Sequence, residues 1–597
     1  TTVTGGLNVD GAELQRITTS SLGLNTAGPI TVDAISAANS LNADAVVLDS
    51  ASSVSFVNSP STFRSLDAQA DDGIAVDTDI STATGNLSLD GDADNAADVN
   101  DNILFADGVQ LNSAGSLTLD ATTSDMTAAG ALALVANSGV SLNDSLSGPA
   151  AAGILVISAD ANTDGAGTAT IAAGATINEF TGQILISADD LNLQGNLSAD
   201  TVLIAESHGG GIGLGDTAGG MTINGATLQR ITTAALTLGT PGPVVVDNIT
   251  AADSQNSAAV TLSAGTSVTF ANNASTFNSL TVQANDGITV NANVSTDTGS
   301  MSLDGDADST PGVNDNILFT AGATLTSAGS LSLAAAAGDM TGAGALTLNA
   351  DDGISLWDSL TTAGLTTLNA DADGSGGGDL AVAAGATVNT AGNALDVTAN
   401  DLDLQGNLQA GATSIADSDG SGIGLGATAV AGGLNMAGAE LQRVTATSLD
   451  LGTAGSVTVN GVSAANSQNG DAVTLRADGV VTFDTAPSTF DSLTVLADDG
   501  IAVNQDLTTV VGSISLDGDA DNATDGDDAI RFAGGVIVTS AGSIALDATG
   551  GGIEADGAGL SLSANDGITI NDDLTKIPPL SGVLAMDADA DSNGSGT

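Results

Sequence analysis

The sequence predicts an all-β protein: a right-handed parallel β-solenoid (β-helix) with about 21 residues per coil, built from tandem super-repeats of about 213 residues. Three observations predict it. The composition is poor in helix formers, the sequence returns at a long period, and short apolar strands recur inside each copy.

Seven basic residues stand against 71 acidic ones, a formal charge of −64, and nearly all of the acid is Asp. The only glutamates are Glu13, Glu179, Glu206, Glu440 and Glu554. Glu favours helix interiors, whereas Asp, Asn, Gly, Ser and Thr favour turns and strand ends. With 77 Gly beside β-branched Val, Ile and Thr, this imbalance speaks against helices. A hydrophobic content of 42% exceeds what disordered chains carry, so the chain can bury a narrow core of Leu, Val, Ile and Ala.

So acidic a surface repels nucleic acid and anionic lipid, and its natural partners are cations. There is no Cys to form disulfides. No apolar run approaches the roughly 18 residues of a membrane span, so no membrane insertion is expected in this segment. No signal peptide opens the chain, and a start at Thr1 reads as a slice of something longer.

The long period is explicit. "GAELQRITTSSLGL" from Gly11 returns as "GATLQRITTAALTL" from Gly225 and "GAELQRVTATSLDL" from Gly438. Arg16 returns as Arg230 and Arg443, and Asp90 as Asp304 and Asp517, at the same two offsets. Residues 1–5 end a preceding repeat, 6–219 form super-repeat 1, 220–432 super-repeat 2, and 433–597 a truncated super-repeat 3. The junctions "LGDTAGGMTINGA" and "LGATAVAGGLNMAGA" keep the strand rhythm, which predicts one continuous rod without linkers rather than a string of β-sandwiches.

Within super-repeat 2, apolar pairs open near Met221, Leu236, Ala259, Leu280, Met301, Leu331, Leu346, Leu365, Leu395, Ile415 and Leu434. Strands divided by "ANDG", "ADDG" and "SAG" turns suit solenoid coils. Alternation in "SLTVQA" points Leu280 and Val282 inward and Thr281 and Gln283 outward. At about 4.8 Å per coil, one copy rises roughly 48 Å and the whole chain on the order of 130 Å.

Two of these spacings, Met301 to Leu331 and Leu365 to Leu395, are longer than the rest and contain acidic additions. The longer loops are "LDGDADNAADVNDNILF" from Leu89, "LDGDADSTPGVNDNILF" from Leu303 and "LDGDADNATDGDDAIRF" from Leu516. They place Asp90, Asp92, Asp94, Asp98 and Asp101 together, likewise Asp304, Asp306, Asp308 and Asp315, and Asp517, Asp519, Asp521, Asp525 and Asp528. Shorter loops carry Asp371, Asp373 and Asp379, and Asp587, Asp589 and Asp591; copy one keeps only Asp160 and Asp164.

Calcium takes six to eight oxygen ligands, and alternate Asp residues in a turn can converge on one ion, as in the first half of an EF-hand loop. The closing Glu and flanking helices of that motif are missing, so only the ligand logic carries over. Zinc is disfavoured by one His and no Cys, and magnesium by its retained waters. The competing reading is a solvated turn. Four or five carboxylates within about 10 Å nevertheless repel one another unless something neutralises them. Ca2+ is therefore the expected cofactor, pinning each insertion and stiffening the rod.

Phe56 and Phe63, Phe270 and Phe277, and Phe483 and Phe490 sit in strand positions and are expected in the core rather than on a sugar-binding platform. Arg16, Arg230 and Arg443 are expected to pair with an Asp or cap a coil corner. His208 and Trp357 occur in one copy only, so neither belongs to a repeated site. With one His and no Cys there is little material for nucleophilic catalysis, and no enzyme is expected; paired carboxylates on a solenoid face are the one enzymatic alternative.

The stretches "GSLSLAAAAGDMTGAGALTLNADDGISL" (Gly329 to Leu356) and "AGSLTLDATTSDMTAAGALALVANSGVSL" (Ala114 to Leu142) have a rhythm that resembles the large repetitive bacterial exoproteins, in particular filamentous-haemagglutinin-like adhesins. That resemblance implies secretion, an extracellular or cell-surface fibre, and adhesion. The regular acidic insertions depart from it and look more like calcium-stabilised giant surface proteins.

The sequence thus points to a structural segment of a long extracellular filament or adhesin stalk. Its expected partners are calcium, neighbouring copies of the same repeat, and host or cell-surface glycans. The alternative is a carbohydrate-binding or carbohydrate-processing β-helix.

Overall fold

The computed structural model describes residues 6–97, 100–149, 153–312, 314–523, 527–578 and 582–596. The chain divides into two compact units, Thr1–Thr289 and Val290–Thr597, and the division falls inside super-repeat 2. Both units are parallel β-solenoids in which the chain visits three strand ladders in turn.

In the first unit one ladder runs Leu22–Thr26, Val46–Ser50, Leu66–Ala70, Leu87–Asp90, Leu117–Asp120, Val140–Leu142, Thr168–Ile171 and Asp190–Leu193, each strand parallel to the next. A second passes through Ile30–Val32, Val54–Phe56, Ile74–Val76, Ile103–Phe105 and Met126–Ala128. A third passes through Ser61–Phe63, Ile80–Thr82, Val109–Ser113, Leu132–Ala136 and Ile154–Ser158.

The second unit repeats the plan. Met301–Asp304, Leu331–Ala334, Ile354–Leu356, Asp379–Val382 and Asp401–Leu404 form one ladder. Ala323–Ser327, Leu346–Ala350, Thr366–Asn369, Leu395–Ala399, Ala412–Asp417, Ser448–Thr453, Val473–Ala477, Leu493–Ala497 and Ile514–Asp517 form another.

These registers revise the coil length. Val46 pairs with Leu66, Leu66 with Leu87 and Leu87 with Leu117, so the coil that contains the acidic loop is markedly longer than the two before it. The short step from Leu331 to Leu346 joins two ladders of one coil, so the coil length expected from mean spacing describes only the shorter coils. One super-repeat is consequently not a whole number of coils. Asp304 and Asp517 occupy equivalent sequence positions, yet their strands lie in different ladders of the same unit. The second and third acidic loops therefore leave from different corners.

Alternation sets the core. Leu280–Ala284 buries Leu280, Val282 and Ala284 and turns Thr281 and Gln283 outward. Phe56, Phe270, Phe277, Phe483 and Phe490 are all fully buried. Phe56 takes a rung between Val32 and Val76, and Phe483 one between Val459 and Val503. The Asp-Gly turns need their glycines: Gly73 has φ +92°, and a Cβ there would lie 2.0 Å from the carbonyl oxygen of Asn100.

Composition spoke against helices, but one-turn helices form corners among the described residues, including Gly11–Leu14, Gly225–Leu228 and Gly438–Leu441. The Asp10 carboxylate accepts the Glu13 N–H while Glu13 accepts the Asp10 N–H, a capping box that needs only one turn. Two of the recurring arginines cap the neighbouring coil there. Arg230 donates to the Gln194 carbonyl at 2.5 Å and Arg443 to that of Leu404 at 2.6 Å.

Candidate metal centre

Each long acidic loop begins where a strand ends on an outward Asp. The Asp90, Asp304 and Asp517 carboxylates accept the N–H two residues on, from Asp92, Asp306 and Asp519, at 3.1–3.2 Å. Burial, followed by the charge of nearby carboxylates, pushes all three acids above the ordinary Asp range. Those neighbours include Asp120 beside Asp90, Asp358 beside Asp304 and Asp547 beside Asp517, each brought from a later coil.

The next acid turns inward. Asp92, Asp306 and Asp519 are at most 2% exposed. One oxygen of each accepts a backbone N–H from a corner of the coil that follows: Thr123 at 2.7 Å, Ala337 at 2.7 Å and Gly550 at 2.5 Å. All three partners lie 31 residues downstream. The other oxygen, Oδ1, is buried in every copy and has no hydrogen-bond partner among the described residues.

The far arm of the loop returns a second acid to the same corner. Asp101, Asp315 and Asp528 are at most 5% exposed. Asp101 accepts the Thr123 hydroxyl at 3.1 Å, so Thr123 touches both acids of copy one. A Cβ added to Gly550 would meet Asp519 Oδ2 at 2.8 Å and Asp528 Oδ2 at 2.9 Å, which places these two carboxylates around one point. In copy two, Asp315 accepts the Gly312 N–H through Oδ2, while its Oδ1 is buried without a partner.

The third acid of the D-x-D-x-D pattern stands at the surface. Asp94, Asp308 and Asp521 are exposed and accept the N–H two residues on, at 2.8–2.9 Å. Asp98 and Asp525 lie outside the described residues.

The shorter loops are built differently. Asp371 is buried, but both its oxygens have donors: the Ser375 N–H at 3.1 Å, the Gly376 N–H at 3.0 Å and the Ser418 hydroxyl at 2.5 Å. Asp160 repeats this with Asp164, Gly165 and Ser207. Asp373 accepts the Ser375 N–H and Asp379 the Asn400 side chain. Asp587, Asp589 and Asp591 likewise bond within their own loop. These acids already act as loop fasteners through hydrogen bonds.

One cluster was not foreseen. Asp189, Glu206 and His208 bring carboxylate and imidazole atoms within 4.8 Å of one another. His208 Nδ1 is 3.0 Å from Asp189 and 3.2 Å from Glu206. The buried Glu206 carboxylate also accepts the N–H groups of His208, Gly209, Gly210 and Gly211 and the Thr240 hydroxyl. Burial works against its ionisation, but these donors outweigh it and hold its pKa below the ordinary Glu value. With its oxygens already surrounded by donors, Glu206 is a poor metal ligand and a good structural anion. The run "ESHGGG", whose glycines free successive amides to converge, was the available signal.

No protein-family model, curated protein or solved structure matches the chain.

Proposed function

We propose that this chain is a structural segment of a very long extracellular filament or adhesin stalk of a bacterial surface, a parallel β-solenoid rigidified by calcium and without catalytic activity. The observation that carries the reading is the inward Asp of each long loop, buried with one carboxylate oxygen unpartnered among the described residues, in all three copies. A buried unsatisfied acceptor costs about 1–3 kcal/mol, and more when charged. A hard cation removes that penalty and fastens the loop to the next coil.

The placement of the loops supports fastening over docking. A repeated binding surface would align its sites on one face, whereas the second and third loops leave different ladders. Stacking with neighbouring copies of the same repeat extends the filament in this reading.

The test is thermal melting of the chain in chelator and in millimolar calcium. One occupied site at a hundred times its dissociation constant contributes about 2.7 kcal/mol, so the midpoint is expected to rise by several degrees. Equal midpoints in the two solutions would overturn the calcium part of the reading.

The carbohydrate alternative has one observation in its favour. Trp357 is 57% exposed and hydrogen-bonds Ser332 through Nε1 at 3.1 Å. Copies one and three have Asn143 and Asn571 at the equivalent position. Because Trp357 is the only tryptophan, a saturable fluorescence change on adding a glycan would favour that alternative.

A further inference from the structure

We infer that each super-repeat holds one calcium ion, bound by the two buried acids of its long loop against the corner of a later coil, and that the outer acids and the shorter loops hold none. This rests on the calcium reading above and assigns its ligands. The acids are Asp92 with Asp101, Asp306 with Asp315, and Asp519 with Asp528.

The assignment departs from sequence spacing, which puts i, i+2 and i+4 carboxylates on one ion. The backbone separates them: the middle acid points inward and the third outward. The middle acid meets a partner from the far arm of its own loop, through a corner 31 residues on.

Two features beyond acidity point to a ligand. Asp92, Asp306 and Asp519 each keep a buried oxygen that no described residue satisfies, and Asp315 has a second one in copy two. The shorter loops act as an internal contrast, because their buried Asp160 and Asp371 have Ser207 and Ser418 hydroxyls and backbone amides as donors. One loop family is closed by the protein alone and the other is left with an acceptor to fill. Carboxylate oxygens without nitrogen or sulfur donors select a hard cation, and two carboxylates leave calcium its remaining positions for carbonyls and water.

The experiment is calorimetric calcium titration of the whole chain and two triple variants. D92N/D306N/D519N removes the inner acids, and D94N/D308N/D521N removes the exposed ones. Wild type and the outer variant are expected to bind three ions, and the inner variant none.

Melting in chelator adds an independent readout. Losing a buried unpaired charge should leave the inner variant melting at or above the wild type there, and the calcium-induced rise should vanish. If the outer variant loses binding while the inner variant keeps it, or if six ions bind, the ligand assignment falls and calcium stands. If wild type binds none, both fall. If the inner variant melts lower than wild type in chelator, the acids are structural without a metal and the assignment falls.

Discussion

Replacing Phe270 by Ala is expected to destabilise the first unit by about 3–5 kcal/mol, the loss that follows deletion of a large buried ring. Phe270 is 1% exposed and sits one rung from Val246. A solenoid core is only three strands around, so the cavity has few neighbours able to collapse into it. Because such arrays are stabilised coil by coil, opening should concentrate in the adjacent coils. Denaturant melting with hydrogen exchange measures both. Phe270→Leu should cost less than half as much, and a loss below about 1 kcal/mol for Phe270→Ala would show that the ring is not a packing element.

Glu206→Gln is expected to cost roughly 3 kcal/mol. The carboxylate accepts four successive amides and the Thr240 hydroxyl, and the substituted amide would turn an NH2 group into that ring of donors. The pH dependence has a definite sign. Glu206 has a lowered pKa in the folded chain, so its contribution is present above the ordinary Glu range and is lost as pH falls through the lowered value. Wild type should therefore lose stability on acidification by more than the variant does. Parallel pH profiles would contradict this role. Copy two shows why length matters: Asp417 takes the place of Glu206, accepts Gly422 and Thr453, and leaves its Oδ1 buried without a partner.

Much of the fold was legible because a solenoid writes itself locally. The alternation in Leu280–Ala284, the Gly at each Asp-Gly turn and the repeated Phe positions each answer to one strand and its nearest rungs. The caps at Arg230 and Arg443 were equally readable, since a lone recurring cation in an acidic chain needs acceptors, and these turned out to be backbone carbonyls.

What escaped depends on the three-dimensional winding. Apolar pairs look alike on every face, so spacing alone could not tell a step between faces from a step between coils, as at Leu331 and Leu346. In the same way Asp92 and Asp94 look equivalent in sequence, but only the first points inward. Its corner partner Thr123 lies 31 residues away. Glu206 was passed over because the Gly209–Gly211 amides that hold it have no side-chain signature.

Hydrogen exchange of the whole chain in chelator and in millimolar calcium tests the central claim most directly, that calcium fastens the long acidic loops to later coils. The predicted result is added protection in calcium at the corner amides of Thr123, Ala337 and Gly550 and in the loops that reach them, with the Asp160 and Asp371 loops unchanged. Identical exchange in both solutions, or protection confined to the shorter loops, would contradict it.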